Sequence, residues 1–150
     1  MDRSDAPLYF AFFNEIGIIG QLSRAMLEAE LPKGLLAPHF SILNHAVRVK
    51  DGQTPLTLAN AFQVPKTTMT HSLGVLERHG LIELKPHPKD GRSKQVWITE
   101  AGRSLRDRVV EATGPALAAF AQQFDPETMR EIVPKLAEMR AFLDAARDED

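Results

Sequence analysis

A chain of 150 residues has room for one buried core plus long flanking helices, and 43% apolar with 25% charged residues is the composition of a globular protein. No stretch approaches the roughly 20 apolar residues of a membrane span, MDRSDAPLYF lacks the pattern of a signal peptide, and zero cysteines exclude disulfides, thiolate metal sites and thiol redox sensing, so the cytoplasm is the simplest compartment. The net charge of −2 hides an asymmetry: residues 65–94 hold Lys66, Arg78, Lys85, Lys89, Arg92 and Lys94 against Glu77, Glu83 and Asp90, a basic segment on an acidic frame.

The first helix is read from Leu8, Phe12, Ile16, Ile19, Leu22 and Met26, which recur every three or four residues after Pro7 and stop before Pro32-Lys33-Gly34. Gly17 and Gly20 weaken it by about 1 kcal/mol each relative to Ala, or leave space for a neighbouring helix or ligand. A second helix is predicted over residues 38–49, with Phe40, Leu43 and Val47 on one face, ending at the turn Lys50-Asp51-Gly52. Thr57 is the predicted cap of a short helix bearing Leu58, Ala59 and Phe62. Val64-Pro65 turns the chain into a helix over residues 66–79, which buries Met69, Leu73 and Leu76 and ends at Gly80.

From residue 82 the period becomes alternating. Ile82 and Leu84 face one way, Glu83 and Lys85 the other, and Pro86 is expected to stop the ladder. Residues 87–93 form a polar loop, and Val96 and Ile98 supply the return strand. Thr99 caps a long helix with Leu105, Val109, Leu117, Phe120 and Phe124 inward and a bend at Gly114-Pro115. Asp125-Pro126-Glu127 caps a last helix carrying Met129, Ile132, Leu136, Met139 and Leu143, with an irregularity at Pro134 and frayed residues 147–150. The outer helices are too apolar to remain solvated singly, which suggests a dimer.

Two short helices around a tight turn, followed directly by a hairpin with a basic tip, make a device for gripping duplex DNA. With Met69, Leu73 and Leu76 inward, the helix over 66–79 turns Lys66, Thr67, Thr70, His71 and Gly74 outward, with Thr68 at the boundary. Threonine hydroxyls and methyls suit phosphates, base edges and thymine, and Lys66 suits phosphate or guanine acceptors. At the hairpin tip Arg92 is placed for a minor groove, Asp90 to orient its guanidinium, and Lys89 and Lys94 to flank it on phosphates. Each feature taken singly is also what a solvated helix face or a charged turn looks like; their succession is what favours DNA.

Residues 36–105 resemble the core of the MarR family of winged helix-turn-helix regulators. The likeness rests on Leu58-Ala59, Val64, Thr68-Met69-Thr70, Leu76-Glu77, Gly80-Leu81-Ile82, Pro88, Asp90-Gly91-Arg92, Ile98-Thr99 and Gly102, and the flanking helices match the family's layout. The resemblance implies an obligate homodimer on a pseudo-palindromic operator, usually a repressor relieved by a small ligand, with the recognition helix and the wing both on DNA. His71, Leu84 and Gly91 stand where arginines are frequent, and Pro65 where a serine cap is common, so the grip on DNA is expected to be modest or strongly salt-dependent.

The sequence therefore predicts a mainly α chain with a small β-hairpin wing (α+β). Residues 36–98 form the winged helix-turn-helix lobe, and 8–31 and 99–147 the N- and C-terminal dimerisation helices. The DNA-binding candidates are Lys66, Thr67, Thr68, Thr70, His71, Lys89, Asp90, Arg92 and Lys94. The dimerisation candidates are Leu8, Phe12, Ile16, Phe120, Phe124, Ile132, Leu136 and Leu143. The expected partners are a double-stranded operator and a second copy, with a small-molecule effector as a candidate and no membrane. Phe10, Phe12, Phe13, Phe40 and Trp97 are nearby in such a fold, though core or interface duty explains them better, and no ligand pocket is assigned. No cysteine nucleophile, G-x-S-x-G, H-E-x-x-H or Walker loop supports catalysis, and no catalytic residue, metal or cofactor is assigned. Two alternatives stay open: a metal-responsive regulator using His39 and His45 with acidic residues, and a winged-helix interaction module without operator binding. His87 reads as a solvent residue of the wing.

Overall fold

The computed structural model describes residues 4–147. The elements in chain order are α1 (Ala6–Ala29), α2 (Ala37–Arg48), α3 (Pro55–Phe62), α4 (Lys66–Arg78), β1 (Ile82–Pro86), β2 (Lys94–Ile98), α5 (Glu100–Ala112), α6 (Gly114–Gln123) and α7 (Pro126–Arg147). The chain is thus mainly helical with one antiparallel hairpin, as its periodicities predict. The tail residues 148–150 lie outside the described residues. The structure divides into two compact units, one ending at Thr113 and the other beginning at Gly114.

In the first unit, the apolar faces of α2, α3, α4, α5 and the hairpin close one core. Leu43, Met69, Leu76 and Val109 are its most deeply buried side chains, with Leu58, Ile82, Val96, Ile98 and Leu105 around them. α5 is part of this core through Leu105 and Val109, and Arg106 Nε donates to Asn44 Oδ1 in α2 at 3.0 Å. α1 runs unbroken through Gly17 and Gly20, buries no residue fully, and leans on the core only through Leu27, with Leu31 just beyond its end.

Local chemistry sets the helix ends. The cap of α3 is Thr54, not Thr57: Pro55 opens the helix, and the Thr57 N–H donates back to Thr54 Oγ1 at 3.2 Å. Gln63 ends α3 in the left-handed region at φ 52°, and the Val64 N–H reaches the Ala59 carbonyl at 3.0 Å. After α4, Gly80 takes φ +68°, which lets the Leu81 N–H bond the Leu76 carbonyl and turns the chain into the hairpin.

The hairpin register runs from Ile82↔Ile98 to Pro86↔Lys94. Pro86 therefore does not stop the ladder. The His87 N–H donates to the Ser93 carbonyl at 3.0 Å, so the alternation of an antiparallel pair puts Pro86 at a position where no N–H is required of it.

The long C-terminal helix expected after Thr99 is broken at Thr113. Leu105 and Val109 are inward as expected, whereas Leu117, Phe120 and Phe124 are exposed. In the second unit, considered by itself, no described residue is fully buried. Phe120 and Phe124 stack on each other with centroids 4.6 Å apart. Asp125 begins α7 as expected: its Oδ1 accepts the Thr128 N–H at 2.9 Å, and that bond holds its carboxyl below the usual range. Pro134 is accommodated inside α7.

Candidate nucleic-acid interface

The amphipathic split of α4 is wider than its sequence pattern suggests. Ser72 and Val75 join Met69, Leu73 and Leu76 on the buried side. Lys66, Thr67, Thr68, Thr70 and His71 are all exposed, and Gly74 is half-buried. Thr68 is thus on the open face rather than at its boundary. The Thr70 hydroxyl donates to the Lys66 carbonyl at 2.9 Å, which leaves its lone pairs and methyl group available outward. Pro65 occupies the cap position and provides no side-chain cap, so the first-turn amides of α4 lack the usual internal acceptor. Arg78 extends this face by one turn, its Nη1 lying 3.4 Å from where a Cβ on Gly74 would be. Its spacing of four from Gly74 could have revealed it from the sequence.

The wing loop is organised by backbone bonds. The Arg92 N–H donates to Asp90 Oδ1 at 3.0 Å, the Ser93 N–H to the Asp90 carbonyl at 3.0 Å, and the Lys89 N–H to His87 Nδ1 at 3.1 Å. Asp90 therefore shapes the turn and does not hold the Arg92 guanidinium, a correction to the orienting role expected of it. His87 is half-buried and structural rather than a freely solvated residue. Lys89, Arg92 and Lys94 are exposed, and among the described residues neither they nor Lys66 enters an ion pair. Lys85, by contrast, is paired with Glu83 at 3.3 Å.

His39 and His45 are not brought together as a metal pair. His39 Nδ1 accepts the Leu36 N–H at 2.9 Å and completes the start of α2, where Glu28 Oε1 accepts the Ala37 N–H at 2.9 Å. His45 Nε2 is 2.7 Å from Gln53 Oε1. The described residues hold no group of three His, Asp or Glu able to share a metal ion. Burial lowers the His39 pKa below 6.5, and the positive forms of His71 and His79 lower it further. The five aromatic residues near one another in the expected fold are dispersed: Phe40 is core, Phe10 and Phe13 are exposed, Phe12 packs edge-on against Phe13, and Trp97 covers Gly52. No helix among the described residues is long and apolar enough to cross a membrane.

A core of α2, α3, α4 and α5 closed by a hairpin, with one exposed helix face and a basic tip, is a winged helix-turn-helix arrangement. A family model described as MarR family matches residues 33–93. The chain is 24% identical over 149 residues to the transcriptional activatory protein BadR of Rhodopseudomonas palustris, covering 95% of this chain and 83% of BadR. It superposes on the crystal structure of the MarR family transcription regulator SP03579 with a TM-score of 0.75 and 25% identity, over 98% of this chain and 97% of that one. The PcaV transcriptional regulator of Streptomyces coelicolor, solved with its natural ligand, shares the fold at a TM-score of 0.69, 19% identity and 97% coverage of both chains. The family matched over residues 33–93 and the chains that share the fold are transcription regulators, not enzymes, and the likeness supports a DNA-binding transcription regulator of the MarR type.

Proposed function

We propose that the protein binds a pseudo-palindromic operator as a homodimer and represses transcription until a small molecule relieves it. Residues 36–98 read DNA, and helices within 8–31 and 99–147 join the two copies. Each α4 enters a major groove, presenting Lys66, Thr67, Thr68, Thr70 and His71, with the two copies about 10 bp apart. Each wing reaches a flanking minor groove with Arg92, while Lys89 and Lys94 meet phosphates and Asp90 holds the turn. The observation that supports this most is the exposure, on one unit, of a helix face and a hairpin tip whose cations Lys66, Lys89, Arg92 and Lys94 enter no ion pair among the described residues.

Dimerisation is supported by apolar side chains that the described residues leave wholly or partly open. Leu8, Ile16, Phe120, Phe124, Ile132 and Leu143 are exposed, while Phe12 and Leu136 are half-buried. Faces of this kind mark interaction surfaces rather than solvated ones. Relief by a ligand follows if the ligand favours dimers whose head spacing does not match the operator; PcaV, solved with a natural ligand, is a precedent on the same fold. BadR is named an activator, which favours a second reading: the same DNA contacts with activation as the outcome.

Capture and sequencing of the genomic fragments bound by the full chain tests the reading. A shared inverted repeat is expected, and His71→Ala is expected to change the preference among selected sites more than the affinity for random duplex. Fragments without a common sequence would leave an interaction module as the better account.

A further inference from the structure

At the base of the wing the chain makes a joint that the DNA-facing surface does not use. The connection between α2 and α3 runs along β2: the Gly52 N–H donates to the Val96 carbonyl and the Val96 N–H to the Gln53 carbonyl, each at 2.9 Å. One step further, a side chain replaces the backbone. Ile98 faces Ile82 at a position where its N–H points away from β1, and that N–H donates to Asp51 Oδ1 at 3.0 Å. The same oxygen accepts the Gly52 N–H at 3.0 Å, and Oδ2 accepts from Arg103 Nη2 of α5 at 3.2 Å. Trp97 seals the joint: Gly52 sits at φ +72°, and a Cβ there would lie 2.5 Å from the indole.

Magnitudes rank the parts. The Asp51 side chain is 18% exposed and Arg103 is 50% exposed, so their ion pair by itself adds little stability, and its part is to hold the carboxylate toward α5. The Ile98 amide belongs to a buried residue, and losing its acceptor is the larger penalty. Strands rise about 3.4 Å per residue, so four steps from Ile98 put Lys94 roughly 14 Å out, and a tilt of about 5° at the base moves the tip by roughly 1 Å. A displacement on that scale decides whether a guanidinium at the tip reaches a groove.

We propose that Asp51 is the positioning residue of the wing. Its two carboxylate oxygens tie β2 and α5 to the α2–α3 connection and thereby set the direction in which Arg92 meets DNA. Asp51 itself touches no DNA, and its role rests on the wing contact proposed above.

The test compares wild type, Asp51→Ala, Asp51→Asn, Arg92→Ala and the Asp51→Ala/Arg92→Ala double variant as full chains. Binding is measured on one duplex selected from genomic fragments at one salt concentration. Time-resolved anisotropy of Trp97, the only tryptophan, reports on the joint in free protein. Arg92→Ala is expected to weaken wild-type binding about fivefold or more, but less than about twofold in the Asp51→Ala background. Trp97 is expected to depolarise faster in Asp51→Ala, and Asp51→Asn, which keeps an oxygen for Ile98, to restore most of the Arg92 penalty. An undiminished Arg92 penalty in folded Asp51→Ala overturns the positioning role alone. No Arg92 penalty in wild type overturns the wing contact, and the positioning role with it. If Asp51→Ala does not fold, Arg103→Ala removes the exposed strut; unchanged Trp97 motion together with an unchanged Arg92 penalty there overturns the proposal.

Discussion

The reading lobe and the outer helices spend the same kind of side chain in opposite ways. In the lobe, leucines, valines and isoleucines from six elements converge until Leu76 is wholly buried. Along α1 and within the second unit, Phe10, Leu22, Phe120 and Phe142 remain open, Phe10 at 76% and Phe142 at 73% exposure. The lobe's stability is therefore internal to one chain, whereas the outer faces are unfinished until something apolar covers them. A single lobe also presents few cations to DNA, and in the proposed homodimer the second copy would raise the grip by adding a second head to the same duplex.

The sharpest way to break that contrast is a cavity in the lobe. Leu76→Ala is expected to cost about 2–5 kcal/mol, measured as a lower urea midpoint with an unchanged association state. A loss below about 1 kcal/mol would mean that the core around Leu76 is not closed. Next in size, Phe120→Asp with Phe124→Asp is expected to shift sedimentation toward monomer and to weaken operator binding by about tenfold or more, while the lobe's helical signal persists. Dimer retained at low micromolar concentration would place the interface elsewhere.

The smallest effect comes from His39, where lobe and α1 chemistry meet at the start of α2. Its folded pKa lies below 6.5, so near that pH the unfolded chain binds the proton more readily than the folded one. The neutral ring's contribution is complete above about 6.5 and is lost as pH falls from there through the lowered folded value. Protonation also places a hydrogen on Nδ1, the atom that accepts the Leu36 N–H. His39→Gln, with a neutral acceptor, should flatten the acid side of the urea-midpoint profile between pH 7 and 5; an identical slope would assign it to other groups.

Periodicity made most of the lobe legible. Met69, Leu73 and Leu76 recur at helical spacing, and Ile82, Val96 and Ile98 alternate, so α4 and the hairpin follow from local pattern. The cap moves from Thr57 to Thr54 because Thr54-Pro55 already starts a helix, proline at the first position needing no N–H partner. Pro86 stays in the ladder because hydrogen-bonded and free positions alternate along an antiparallel pair, and one strand alone does not reveal the register. In the sequence Asp51 reads only as part of the turn Lys50-Asp51-Gly52. Its bonds reach Ile98 and Arg103, separations of 47 and 52 residues that no local spacing reveals. Asp90 illustrates the reverse: proximity in sequence suggested an ion pair with Arg92, while the shorter loop geometry gives its carboxylate to the Arg92 amide.

Footprinting of the full chain on a selected operator, with dimethyl sulfate reading guanine N7 in the major groove and hydroxyl radical reading the minor-groove sugars, tests the central account most directly. Two protected major-groove faces about 10 bp apart are expected, flanked on each side by minor-groove protection that disappears with Arg92→Ala while the central protection remains. A single protected face, or flanking protection indifferent to Arg92, would contradict a dimeric winged reader.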